Sequence, residues 1–213
     1  MIQMILDEIG KRWPIREKKT KTFRAKGIRF HVKAYEALGL GHVSVMTGSG
    51  MLGLMKMDTL IVNPFLKDAP LLSYDRIHAL GNDTLFLEMF DTMLGNSFSP
   101  QDALTCAEKR ADWLENPLGA HWYDSIRIAP CIHKKGKKAD SPELDAFCGE
   151  VVRAYLKAAD ACGECDPAKK RRKALAYSEG LLKNGGPATD PVKKAIGEEA
   201  AAELFRVYLF GTD

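Results

Sequence analysis

Apolar and polar positions alternate in short runs through much of this chain, and near residue 140 the rhythm changes to a helical period. The opening MIQMILDEIGKRWP reads as an amphipathic helix ended near Pro14. His42–Met46 alternates as a strand does. Met51–Val62 is a longer apolar stretch stopped by Asn63-Pro64, and Leu71-Leu72 is a short one. After the turn signal Gly81-Asn82, Asp83–Asp91 alternates again. Asp124–Ile132 alternates too, with Pro130 inside it, which points to an edge strand or a bulge. Ser141-Pro142-Glu143 then opens a helix, with Ser141 as its cap. Leu144, Phe147, Val151, Val152 and Tyr155 keep its 3.6-residue period. Pro167–Leu182 is a second helix, broken at Lys183–Pro187. Asp190-Pro191 caps a further segment, and Glu198–Leu209 closes the chain. A block of strands followed by a block of helices predicts an α+β fold on a mainly antiparallel sheet.

That order bears on TGSGMLG, where Gly48, Gly50 and Gly53 spell G-x-G-x-x-G. A dinucleotide turn needs a strand before the glycines and a helix after them, so that pyrophosphate sits on the helix N-terminus. Here only Leu54–Asp58 separates Gly53 from the β-branched run that ends at Pro64. No helix of normal length fits, and the glycines read as the tip of a β-hairpin needing positive φ.

The 213 residues suffice for one domain and are marginal for two, so residues 1–213 are expected to form a single domain. No apolar run approaches the roughly 20 residues of a membrane span, and the N-terminus lacks a signal-peptide layout. Five scattered cysteines look like reduced thiols, and a cytoplasmic protein is expected. Net charge is only +3 but uneven. Ten Lys and Arg lie between Lys11 and Lys33 against the single acid Glu17, and Lys169, Lys170, Arg171, Arg172 and Lys173 open the second helix. Such runs are either solvated faces or contacts for an anionic partner: nucleic acid, an acidic protein, or a substrate bearing carboxylates.

Two constellations could carry chemistry. Cys162-Gly-Glu-Cys165 with Cys131 and His133 would make a four-ligand zinc set, although neither pair lies in a glycine-rich knuckle. The other reading is two cysteines at a helix end. Asp75 and Asp91 lie within or beside apolar strands. A carboxyl there is hydrogen-bonded, paired, or raised in pKa, and a raised pKa suits a proton donor at neutral pH. The alternative is a turn-capping aspartate.

The stretch DTLIVNPFLKDAPLLSYDRIHALGNDTLFLEMFD, residues 58–91, resembles the core of the ferredoxin-dependent bilin reductases. That family has a strand ending in Pro, a "Pro-Leu-x-Gly-x-Asp" turn, and a strand ending in Asp and a small residue. Here these are Pro64, Pro70–Asp75 and Asp91-Thr92. The C-terminal "Lys-Asn-Asp", "Gly-Glu" and "Leu-Phe" elements are matched by Lys183-Asn184, Gly197-Glu198 and Leu209-Phe210. The resemblance runs from about residue 40 to the end and rests on order and spacing. It implies a three-layer α/β/α sandwich, shared with the red chlorophyll catabolite reductases, in which a linear tetrapyrrole such as biliverdin lies between the sheet and the C-terminal helices. It also implies no bound flavin, nicotinamide or metal. Electrons would come from ferredoxin, a small acidic iron–sulfur protein, and protons from the protein and water. By the resemblance Asp75 is the proton donor.

The chain also departs from the family. A Glu and a His that face the substrate in phycocyanobilin-forming members fall at about Ser44 and Thr59 here. The turn glycine is Ser73, and the acid of "Lys-Asn-Asp" is Gly185, with Asp190 the nearest acid downstream. The resemblance therefore places Ser44, Thr59, Ser73, Asn184 and Asp190 at the substrate, with Lys134, Lys135 or Lys193 holding propionates. Lys169, Lys170, Arg171 and Arg172 would dock the electron donor. A two-electron reduction assisted by Asp75 fits these residues better than four-electron vinyl reduction. The alternatives are a tetrapyrrole carrier of the same fold and a nucleic-acid-binding module using the basic N-terminal stretch.

Overall fold

The computed structural model describes residues 1–95, 97–110, 120–186 and 189–213. Seven strands form one sheet in chain order: β1 Ile15–Ala25, β2 Ile28–Ala37, β3 Gly41–Gly50, β4 Met55–Asn63, β5 Leu71–Ala79, β6 Asn82–Phe90 and β7 Arg127–Lys137. Every neighbouring pair is antiparallel. Helices α1 Ile2–Gly10, α2 Gln101–Glu108 and α3 Ser141–Ala161 supply the apolar side chains of one outer layer. Helices α4 Pro167–Asn184, α5 Thr189–Ile196 and α6 Glu198–Glu203, continued by a π-helical turn at Leu204–Leu209, supply the other. The expected α+β sandwich with an antiparallel sheet is what forms.

Alternation along each strand sorts side chains between the layers. On β3, Val43 and Val45 enter the α1–α3 layer, whereas Met46 enters the α4–α6 layer. On β5, Leu72 and Tyr74 enter the first and Leu71 the second. A chain covered on both faces needs apolar residues at successive positions, which is why the middle strands read as nearly continuous apolar runs.

The structure corrects several local expectations. The basic segment after Pro14 forms β1 and β2, whose alternation is masked by lysines on an exposed edge strand. Leu71-Leu72 is the start of a nine-residue strand, so Asp75 lies in mid-strand and in no turn. Ser141 is not a cap: its hydroxyl donates to Asp83 Oδ2 at 2.5 Å, and Asp140 precedes the helix. Among the three glycines of TGSGMLG only Gly53 has positive φ. Gly48 and Gly50 lie in β3, where a Cβ would come within 2.8 Å of Phe30 and of Ile28, so packing and not backbone freedom requires them. Pro130, behind a cis bond, sits where the β6–β7 register shifts, on an edge strand.

Two polar clusters pin the layers. His42 Nε2, Ser44 Oγ and Asn63 Nδ2 donate to the consecutive carbonyls of Tyr208, Leu209 and Phe210 at 2.9, 2.7 and 2.8 Å. The last helical turn thereby gains the partners its carbonyls lack within the helix. On the opposite face, Arg76 grips both carboxylate oxygens of Asp83 at 2.5 Å and also reaches Asp145 at 2.9 Å. Arg76 and Asp83 are completely buried, and the guanidinium holds the Asp83 carboxyl below the usual range. Removing one partner strands the other charge. Asp83→Asn should cost about 3–5 kcal/mol in urea unfolding. A loss under about 1 kcal/mol would show that Asp145 and backbone carbonyls satisfy Arg76 alone.

Candidate functional site

The α4–α6 face of the sheet carries a transverse row of side chains, Thr59, Asp75, Phe86 and His133, in register across β4 to β7. The Asp75 carboxylate accepts from Thr59 Oγ1 at 2.5 Å and Ser73 Oγ at 3.3 Å. It is recessed in the protein yet keeps some open surface. Burial pushes its pKa up, against the opposing pull of the two hydroxyls. His133 stacks on Phe86 with ring centres 4.3 Å apart.

One step along, Glu88 lies opposite Ser73 on β6. Its Oε1 is 2.9 Å from Arg127 Nη2. Burial raises the Glu88 pKa; Arg127 opposes the rise and the Asp75 carboxyl adds to it. Arg127 also binds Asp124 at 2.7 Å and lies over the Tyr123 ring. Tyr123 meets Phe90 and Tyr177 edge-on, and Trp122 packs beside them. The result is two carboxyls of raised pKa on adjacent strands, bordered by an aromatic wall and one buried cation. Arg127 Nε and His121 Nδ1 are buried there without a hydrogen-bond partner among the described residues. Such a site can hold a flat, partly charged molecule by stacking, pair with a positive centre on it, and hand over protons.

Of the residues expected at a substrate, the structure brings together Asp75, Thr59 and Ser73. Ser44 faces the same layer but is fully buried and spends its hydroxyl on Leu209, so its role is to anchor the C-terminus. Lys134 is opposite Leu85 and therefore on the other face of the sheet; Lys135, opposite Thr84, is on the Asp75 face and exposed. Lys193 ties α5 to Leu182 O at 2.8 Å and pairs with Glu198. Asn184 and Asp190 are exposed near the α4–α5 connection, where Trp122 Nε1 donates to Gly185 O at 3.0 Å. Asp91 accepts from Met93 N and caps a turn.

Within the basic run of α4, Lys170 is corrected outright. It is buried, with Nζ on Ala69 O at 2.5 Å and Asp68 at 3.9 Å, and burial lowers its pKa to about 8. Lys169, Arg171 and Arg172 are exposed, Arg171 lying over Phe65. The proposed zinc ligands do not converge. The thiols of Cys131, Cys162 and Cys165 turn to the carbonyls of Ile128, Ala158 and Phe65 respectively. No group of three or more potential ligands forms among the described residues. None of their helices is long and apolar enough to cross a membrane.

Sequence reasoning missed Glu88, Arg127, Tyr123 and Tyr177, and weighed His133 only as a zinc ligand. The available signal was the alternation of LFLEMF, which puts Glu88 on the face opposite Leu87 and Met89, but which face that is depends on register.

No protein-family model matches the chain, and no curated protein matches it in sequence. Among solved structures it is similar to phytochromobilin synthase from tomato in complex with biliverdin. The TM-score is 0.79 at 14% identity, covering 99% of this chain and 82% of that one. The likeness is one of fold.

Because burial holds the Asp75 pKa above its unfolded value of about 3.9, the native state binds that proton more tightly. The stabilisation is complete below about pH 3.9 and is lost as pH rises through the native pKa. Asp75→Asn should therefore melt like the parent protein in acid and at a higher temperature near neutral pH. Identical melting at both pH values would mean that the carboxyl titrates normally.

Proposed function

We propose that the chain binds a linear tetrapyrrole on the Asp75 face and reduces it with electrons from a ferredoxin-like carrier. The observation that carries this reading is the recessed Asp75 carboxyl, held by Thr59 and Ser73 with Glu88 beside it, at the edge of an aromatic wall. The similarity in fold to a protein solved with biliverdin supports it. A conjugated bilin offers a flat face to the partly exposed Phe86 and His133 and basic nitrogens to a carboxyl. Its acidic side groups suit the exposed Lys135.

The reduction is balanced by two one-electron deliveries and two protons added across one double bond. Asp75, whose charged form burial disfavours, donates the first proton and pairs afterwards with a protonated pyrrole nitrogen. Thr59 and Ser73 orient the carboxyl and stabilise it once ionised. Glu88 is the second carboxyl in reach of the site, and Arg127 limits how far its pKa rises. No bound cofactor is required in this scheme. Exposed Lys169, Arg171 and Arg172 on α4 suit an acidic donor.

A second reading is a carrier that holds the tetrapyrrole without reducing it. It is favoured by the resemblance, which puts Ser44 and Thr59 at about the places where phycocyanobilin-forming members have proton-donating side chains.

Anaerobic titration with biliverdin, followed by reduced ferredoxin, tests both. A shifted bilin band that changes further only with ferredoxin is the expected result. A shifted band that never changes selects the carrier, and the absence of any shift removes the tetrapyrrole reading. Asp75→Asn should leave the initial shift in place and slow the ferredoxin-dependent change by about 10²–10⁴-fold.

A further inference from the structure

The antiparallel order places the β1–β2, β3–β4 and β5–β6 turns and the end of β7 along one edge of the sheet. The ladders align Arg24, Arg29, Ser49, Lys56, His78, Asp83 and Gly136 as one row directly beneath that edge. Beyond the row stand Leu52, which is wholly exposed, Leu54 at 61% and Leu80 at 69%. These are the most exposed large apolar side chains among the described residues. Leu80 N donates to Leu54 O at 3.3 Å, and Lys138 N donates to Gly81 O at 3.0 Å, so the neighbouring tips are tied together. Two strand spacings put the two leucine-bearing turns about 10 Å apart.

Turn chemistry makes these leucines conspicuous. Lys26-Gly27 and Leu80-Gly81 are both two-residue turns with positive φ at each position, where Asn-Gly is the favoured pair. Leu52 also has positive φ. Backbone and solvent both favour a polar residue at positions 52 and 80, and neither leucine is buried by the fold. Around them Arg24, Lys26, Arg29, Lys56, Lys135 and Lys138 are exposed and make no ion pair among the described residues. Of the nearby acids, Asp83 and Asp145 are committed to Arg76 and Asp140 to the Lys137 N–H, while Asp58, between Thr47 and Arg76 in the ladder, is partly buried and its charge disfavoured by that burial.

We propose that this edge docks on an anionic lipid bilayer, with Leu52, Leu54 and Leu80 entering the interface and the flanking cations contacting headgroups. Charge complementarity selects the occupant together with the apolar tips. Nucleic acid needs the cations alone, and a strongly acidic protein surface would set the wholly exposed leucines against charge, whereas leucines raised above a basic rim match the layering of an anionic lipid surface. The edge also leads to the candidate site. Met57 and Ile77 face each other on the Asp75 face, both partly exposed, between the tips and Asp75, which lies about 13 Å from the end of β5. Docking would thus hold the open end of the site toward the bilayer. This inference does not depend on which ligand the site takes.

Sedimentation of the full chain, without any bilin, with vesicles of phosphatidylcholine alone or in equal parts with phosphatidylglycerol tests it. Binding to the anionic vesicles is expected, weakened by salt and by charge reversal at Lys26 and Arg29. Replacing Leu52→Asn, Leu54→Ser and Leu80→Asn together should lower partitioning by about tenfold or more. Leu80→Asn alone suits its turn and should give a several-fold loss even where the triple variant folds poorly. Leu38→Ser, at an exposed leucine on the opposite edge, should change nothing. No sedimentation with either vesicle, or binding unaltered by the leucine variants, overturns the proposal. Salt-sensitive capture by polyglutamate with no vesicle binding would assign the edge to an acidic protein instead.

Discussion

The register between β5 and β6 is the constraint on which the rest of this structure depends. Side chains alternate with a period of two, so a slip of one residue would carry Asp75 into the α1–α3 layer and turn Tyr74 toward the site. The two-residue turn at Leu80-Gly81 sets this register, and the buried Arg76–Asp83 pair locks it. Any shifted pairing would leave that guanidinium or that carboxylate buried alone. Ion pairs of this kind add little net stability, but they make misalignment expensive. Specificity of register is a fitting role for one placed directly behind a candidate proton donor.

The two faces of the sheet use polar groups in opposite ways. Behind the sheet, Arg76, Asp83, Asp145 and Ser141 satisfy one another and leave the α1–α3 layer closed. In front, among the described residues, Asp75 is held by two hydroxyls and Glu88 by Arg127, and burial keeps both carboxyls above their ordinary pKa. Incomplete pairing costs stability where it occurs, and it keeps protons available. The C-terminal turn, held by His42, Ser44 and Asn63, closes one part of this face. The part nearer the hairpin tips, with Met57, Ile77, Phe86 and Lys135, stays partly open. Chemistry and access thus lie along one line of the sheet, from the aromatic wall through Asp75 to the leucine-bearing edge.

Much of the architecture was legible in the order of elements. Strand runs followed by helical periods specify an α+β sandwich, because amphipathic helices placed after a hairpin succession have only the sheet faces to cover. The G-x-G-x-x-G reading failed on spacing alone, since no helix fits after Gly53. Asp75 was recognisable as a carboxyl inside an apolar run. Less legible was the basic segment of β1 and β2, where surface lysines on an edge strand obscure alternation. Lys170 was equally hidden: one lysine of five in a row is buried, and nothing local distinguishes it from its exposed neighbours.

By itself, then, the sequence determined the first helix, most strands of the middle and the helices of the second half, that the sheet is antiparallel, and that an aspartate lies among apolar strand residues. Those follow from local periods and from turn and capping chemistry. Only the tertiary structure decided which face each strand residue occupies. It set Glu88, Arg127, His133 and Tyr177 around Asp75, moved Lys134 to the opposite face, and enclosed Ser44 under Leu209. It also gathered Leu52, Leu54 and Leu80, distant from the basic hairpin in sequence, onto one edge with it. The physical reason is that pairing register and layer packing are relations between segments far apart in the chain, and a one-residue difference in either reverses what a side chain touches.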